Sequence, residues 1–306
     1  MTRALLIMGP TAAGKSALAL ALAERVGGDV INADSMQVYR DLRVLTARPS
    51  PEEEARAPHH LYGHVDAGER FSVGRWLKQA LPIIKEVRAR GRTPIVVGGT
   101  GLYFMALTKG LAAMPTVDAD LRAALDARLA REGAAALHAA LAAIDPQGAA
   151  RLKPSDAPRI LRALEILETT GAPIGAFQAE TKPALRREEW AGLALVREPP
   201  ADLYRAIDSR FEAMLRAGAL DEARALMARG LNPNLPAMKA HGMPALIAHL
   251  RGARNLEAAA EIAKRDTRRY AKRQHTWIRN QMLDWRRAGE TDAAALAAIA
   301  CALLER

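Results

Sequence analysis

Short apolar runs alternate with longer stretches of helical period through the first third of the chain. Ala4-Leu5-Leu6-Ile7-Met8 and the segments 29–33 and 93–97 each read as a strand, with amphipathic helical patterns between them. That alternation is the grammar of a parallel sheet covered by helices. Each run ends in a small or polar cluster: Gly9, then Asp34-Ser35, then Gly98-Gly99-Thr100-Gly101. Ligands of open α/β sheets gather outside the carboxyl ends of the strands, so the three clusters are expected to converge. From about residue 116 to 192 the texture changes to Ala, Leu and Arg at helical spacing. No β-like run occurs there, and the breaks fall at Asp145-Pro146 and Lys153-Pro154. This predicts a helical insertion. A returning strand is expected at 193–196 and one long helix over 201–227. A loop through Asn232-Pro233-Asn234-Leu235-Pro236 then leads to a last helical section. The organisation read from the pattern is thus an α/β core over 1–115, an all-helical insertion over 116–192, and a return to the core over 193–306.

Composition narrows the class. With 306 residues, half of them apolar, the chain can bury a sizeable core. It carries 44 Lys and Arg against 34 Asp and Glu, a net charge of +10. That excess favours a polyanionic partner such as nucleic acid over the alternative of a basic enzyme with none. Cys301 is the only cysteine, which excludes an intrachain disulfide or a cysteine zinc site and suits a reducing cytoplasm. The first apolar run is too short for a signal-peptide core or a membrane span. No heptad run or obvious partner helix is evident, so a monomer without an obligate protein partner is expected.

Four constellations carry chemistry. Gly9-Pro10-Thr11-Ala12-Ala13-Gly14-Lys15-Ser16 matches G-x-x-x-x-G-K-S in full, between a strand and a helix. Its glycine-bearing turn aims backbone amides and a helix N-terminus at an anion, Lys15 adds a point charge, and the Ser16 hydroxyl is suited to Mg²⁺. Asp34 follows the second strand, where it serves as a metal-side or alcohol-side carboxylate in a kinase, as a proton acceptor for an amine in transfer to nitrogen, or simply as a helix cap. The third strand ends in glycines around Thr100, where an ATP-hydrolysing enzyme usually has an Asp. Those glycines fit close backbone approach to a ligand or merely a tight turn. The helix over 264–279 holds seven Lys or Arg and one Asp. Residues four apart share a face, so the charge forms a stripe suited to phosphates, with Tyr270, His275 and Trp277 as stacking surfaces; a solvated face is the plainer alternative. His59, His60 and His64 lack partners at ligand spacing and read as structural or surface residues.

The phosphate loop, Ala33-Asp34-Ser35-Met36-Gln37-Val38-Tyr39, His59-His60-Leu61, Gly98-Gly99-Thr100-Gly101-Leu102-Tyr103 and the basic helix, in that order and at these separations, resemble the tRNA dimethylallyltransferase (isopentenyltransferase) family over essentially the whole chain. The resemblance implies a P-loop NTPase-like core and transfer of a dimethylallyl group from dimethylallyl diphosphate to N6 of adenosine 37 in tRNA, with Mg²⁺. It implies that the loop grips the donor's diphosphate, with Lys15 as its main charge, Ser16 on the metal and Arg210 assisting. By the same resemblance Asp34 is the base or hydrogen-bond acceptor for the N6 amine, and Thr100 contacts the target base. Asp34, Ser35, Met36, Gln37, Arg122, Pro158, Arg159, Ile160, Leu161, Arg162, Lys272, Arg273, Gln274, His275, Thr276, Trp277 and Arg279 then contact tRNA. Adenosine 37 is expected to swing out into a tunnel between the sheet edge and the insertion. Leu45-Thr46-Ala47-Arg48 stands where Gly-Thr-Ala-Lys is usual, Ala240-His241-Gly242-Met243-Pro244 replaces a common Ile-Gly-Tyr-Lys stretch, and Pro158 stands where Gln is common. These departures bear on individual tRNA contacts and leave the donor site intact. A small-molecule kinase and a non-catalytic RNA-binding switch are the competing functions.

Overall fold

A computed structural model describes residues 2–177, 181–198, 200–289 and 292–305. Among the described residues the strands are β1 (Ala4–Met8), β2 (Gly28–Asn32), β3 (His59–His60), β4 (Thr93–Gly98), β5 (Trp190–Leu195) and β6 (Arg286–Ala288). They pair in parallel in the order β3-β2-β4-β1-β5-β6. Alternate residues of β1 face opposite cores: Ala4, Leu6 and Met8 enter one, Leu5 and Ile7 the other. Both faces are covered, which is why the strands read as continuous apolar runs. The larger core packs under α3 (Val73–Ala89), α4 (Gly101–Thr108), α8 (Pro200–Arg216), α9 (Ala219–Ala228), α10 (Met243–Leu250) and α11 (Leu256–Gln281). The smaller one packs under α1 (Lys15–Val26) and α12 (Ala293–Leu304), with α2 (Pro51–Arg56) beside α1. This is the P-loop NTPase-like core expected.

The strand edges were not all foreseen. β3 and β6 are two and three residues long, and Arg286 and Arg287 are exposed. Short, charged edge strands resist further pairing and carry little periodic signal. β5 begins at Trp190 rather than 193, anchored by a Trp190–Trp285 ring contact at 5.6 Å. The single helix expected over 201–227 is two, broken at Gly218, whose φ of 97° is left-handed.

The helical unit spans Lys109–Pro183, earlier at both ends than the expected 116–192. Its two strands of entering and leaving chain run together: the Thr181 hydroxyl donates to the Lys109 carbonyl at 2.7 Å. A Cβ on Gly110 would sit 2.3 Å from the Lys182 carbonyl oxygen. Within the unit α5 (Ala119–Ile144, non-helical at Gly133), α6 (Pro146–Ala150) and α7 (Ala157–Thr170) share a core of Leu125, Leu137, Leu141, Ile160 and Leu164. No described helix is long and apolar enough to cross a membrane.

The histidines are held structurally. His60 Nε2 meets Asp29 Oδ2 at 2.8 Å, His59 Nδ1 meets the Ala57 carbonyl at 2.8 Å, and His64 Nε2 meets Gln79 Oε1 at 2.9 Å.

Candidate active site

At the end of β1 the chain leaves the sheet through Gly9, where a Cβ would lie 3.0 Å from that of Leu195. Ala12 and Gly14 take left-handed φ values of 63° and 84°, which turns the chain so that α1 starts at Lys15. The first amides of α1 have no acceptor within the helix, and the helix dipole adds partial positive charge at the same place. Lys15 Nζ donates to the Pro10 carbonyl at 2.7 Å. Burial pulls its ammonium down to about 8; the Asp34 carboxylate opposes that fall and Arg210 adds to it. Burial also lowers the Arg210 guanidinium, again opposed by Asp34. Arg210 donates to the Thr11 hydroxyl, and the Ser16 side chain is exposed. A cavity of about 330 Å³ opens here, lined by residues 12–17, Arg48, Glu53 and Arg210.

The turn after β2 is tied by its own side chains. The Asp34 amide donates to Asn32 Oδ1 at 2.8 Å, and Asp34 Oδ1 accepts from the Met36 amide at 2.9 Å. One carboxylate oxygen therefore caps the turn. The other, Oδ2, lies 3.5 Å from where a Cβ of Gly99 would be. Gly98 is required by close approach, since its Cβ would fall 2.1 Å from the Ala33 backbone. Thr100 joins the two turns: its amide donates to the Ala33 carbonyl at 3.2 Å, and its hydroxyl accepts from the Ser35 amide at 2.9 Å. The clusters after β1, β2 and β4 thus converge as expected.

A second cavity, about 180 Å³, adjoins Asp34. Thr11, Arg210, His241 and Tyr270 contribute polar groups, and the buried Leu45, Ile207, Phe211 and Met214 an apolar wall. Arg210 lines both cavities. The His241 and Tyr270 rings lie 4.3 Å apart. Burial lowers the His241 imidazole, Arg273 lowers it further, and Asp34 opposes both. The apolar wall was not legible beforehand, because Ile207, Phe211 and Met214 occupy ordinary core spacing on α8. Leu45 is set by Glu222 of α9, whose Oε2 accepts from the amides of Arg43 and Val44 at 2.6 and 2.7 Å and whose Oε1 accepts from that of Leu45 at 2.9 Å. No local pattern links residues so far apart in the chain.

The IPP transferase family model matches residues 37–281, and an isopentenyl transferase model matches 2–62. The chain belongs to the IPP transferase family. A tRNA dimethylallyltransferase of Rhodopseudomonas palustris is 57% identical over 292 residues, 95% of this chain and 91% of the relative. The crystal structure of a tRNA isopentenylpyrophosphate transferase from Bacillus halodurans superposes with a TM-score of 0.69 at 35% identity, covering 100% of this chain and 97% of that one. A eukaryotic dimethylallyltransferase captured acting on tRNA gives a TM-score of 0.74 at 29% identity, over 93% of this chain and 71% of that one.

Against the RNA contacts expected from the family, the structure makes distinctions. Ile160 is fully buried in the helical unit's core and cannot touch RNA, and Leu161 packs against the same core. Pro158 and Arg159 are exposed at the start of α7. Arg122 and Arg162 both pair with Glu165, at 2.8 and 3.0 Å. Gln37 turns inward, donating to the Thr46 and Ala47 carbonyls. On α11 the apparent stripe is split. Lys264 pairs with Glu212 and Glu261, and Arg268 pairs with Asp208, so these two direct their charge into the protein, while Arg265 and Arg269 are exposed and share Asp266. Lys272, Arg273 and Arg279 are exposed, and none of the described carboxylates pairs with them. Thr276 is exposed and bonds the Lys272 carbonyl, whereas His275 is half-buried. Trp277 packs on Gly101, whose Cβ would lie 2.1 Å from the indole Nε1, and borders a surface groove with Lys272 and Arg273. Gln274, expected on the RNA face, is 4% exposed and bonded inward.

Proposed function

We propose that this protein transfers the dimethylallyl group of dimethylallyl diphosphate to N6 of adenosine 37 in tRNA and releases diphosphate. The observation that carries this reading is the pair of adjoining cavities that share Arg210: an anion cradle on one side, and on the other an apolar wall facing Asp34. An allylic diphosphate has those two halves. A kinase would place its phosphoryl acceptor, usually a hydroxyl, and the groups that hold it beside Asp34, where this chain presents the apolar Leu45, Ile207, Phe211 and Met214.

Adenine N6 is a weak nucleophile because its lone pair is delocalised into the ring, so the donor carbon must become strongly electrophilic. The allylic C–O bond breaks as the N–C bond forms. Positive charge spreads over the allyl unit against the apolar wall, and negative charge grows on the departing diphosphate. The amides at the start of α1, Lys15 and Arg210 are fixed around that charge, the preorganised role of an oxyanion-type site. Asp34 Oδ2 accepts the proton that N6 loses. The chemistry of the donor set fits Mg²⁺: Ser16 presents one exposed hydroxyl in the cradle, and this ion usually takes its other ligands from phosphate oxygens and water. When bound it neutralises part of the leaving group's charge.

Adenosine 37 is stacked in the anticodon loop and must be extruded to reach the cavity. Lys272, Arg273 and Arg279 supply sequence-independent attraction to the RNA, in the cytoplasm where tRNA is found. The test is mass spectrometry of tRNA nucleosides after incubation with the protein and dimethylallyl diphosphate. One adenosine should gain a single dimethylallyl unit. Unchanged nucleosides, or phosphate label moving from ATP to a small alcohol, would overturn the reading.

A further inference from the structure

The buried face of α11 is built around Gln274. Its Oε1 accepts from the Thr11 amide at 2.9 Å, and its Nε2 donates to the Gly99 carbonyl at 3.0 Å. The Tyr270 hydroxyl, one helical turn earlier on the same face, lies close to Thr100 and Gln274. One amide side chain thus spans the loop that follows β1 and the turn that follows β4, beyond the last sheet pair, Met8 with Gly98. The fit is close: a Cβ on Gly99 would lie 2.2 Å from Gln274 Nε2. Two side-chain hydrogen bonds to backbone groups of separate loops, made from a rigid helix and shielded from water, fix the distance between those loops.

We infer that Gln274 is a positioning residue that keeps the diphosphate loop in register with the turn carrying Thr100, and that it makes no contact with RNA. The inference rests on the transfer reaction proposed above. The tie reaches the parts proposed to hold the two reactants: Thr11 directly precedes the cradle residue Ala12 and bonds the cradle's Arg210, and Gly99 borders Asp34. The same helix carries Lys272 and Arg273 on its outer face. RNA seated there bears on the helix that also holds the donor loop.

The test compares wild type with Gln274→Met, which keeps the length of the side chain and removes both bonds, and with Gly99→Ala, which displaces Gln274 from the other side. Single-turnover transfer should need about tenfold more dimethylallyl diphosphate for half-maximal rate in Gln274→Met, the equivalent of one lost neutral hydrogen bond. The tRNA Kd and its salt slope should not change. Because the two substitutions break the same tie, the double variant should be hardly worse than the more impaired single one. Hydrogen exchange at the Thr11 amide, measured without substrate, should speed up in both variants. A several-fold weaker tRNA Kd with an unchanged donor requirement would make Gln274 an RNA contact and overturn the inference. So would an unaltered Thr11 exchange rate or fully additive defects. Failure of the wild type to modify tRNA would instead count against the proposed function, while the Thr11 exchange still decides the tie.

Discussion

Lys15 lets the cost of an anion cradle be measured in the absence of its anion. In the folded protein its ammonium titrates at about 8 instead of 10.5, chiefly through burial. At about 1.4 kcal/mol per pH unit, keeping it charged at pH 7 costs the empty protein about 3 kcal/mol. Its bond to the Pro10 carbonyl and its partial contact with solvent offset some of that, leaving a net penalty of about 1–2 kcal/mol. Lys15→Met should therefore raise stability at pH 7 by about that amount. The sign of the pH dependence follows from the direction of the shift. The unfolded chain binds the proton more tightly, so wild-type stability should climb between pH 8 and 10.5 and the advantage of the variant should vanish across the same window. Urea denaturation of both proteins from pH 7 to 10 measures this. In wild type, kcat/KM for dimethylallyl diphosphate should fall as pH passes about 8, because the neutral amine no longer attracts the donor; in the variant it should be low and flat. A variant less stable than wild type at pH 7, or a gap that persists unchanged to pH 10, would refute the reasoning.

Other expectations follow from single contacts. Glu222→Gln turns an amide NH₂ toward backbone donors that now meet a carboxylate, so it should cost about 1–2 kcal/mol in denaturation and raise the KM for the donor by displacing Leu45; unchanged KM would remove that loop from the donor site. Lys272→Ala combined with Arg279→Ala should lower the slope of log tRNA affinity against log salt by about 2 without altering the rate at saturating tRNA. An unchanged slope would make the outer face of α11 a solvated surface only.

The parts of the site that were legible in the sequence are those built from neighbours in the chain. The phosphate loop, the Asp34 turn and the glycines after β4 each carry their geometry in a few consecutive residues, and β1, β2 and β4 announce themselves as fully buried runs. What escaped depends on contacts across the fold. Gln274 belongs to a helix read as basic and Ile160 to a segment expected on RNA by family resemblance, yet each sits on the inward side of its helix, which neither charge counting nor resemblance resolves. The stripe on α11 overstates the free charge because Asp208 and Glu212, on another helix, pair with Arg268 and Lys264. Gly218 broke a helix that amphipathic spacing alone would continue. The apolar wall beside Asp34 is indistinguishable in pattern from core until Leu45 and α8 are seen to enclose a cavity.

The most direct measurement is the single-turnover rate of tRNA prenylation by Asp34→Asn, with tRNA affinity measured alongside. The amide preserves the shape of the turn and removes the proton acceptor, so the rate should fall by about 10²–10⁴ while the tRNA Kd stays near that of wild type. A rate within a few-fold of wild type would contradict the placement of the adenine amine against Asp34, and with it the reading of the two joined cavities as the place where the donor meets that amine.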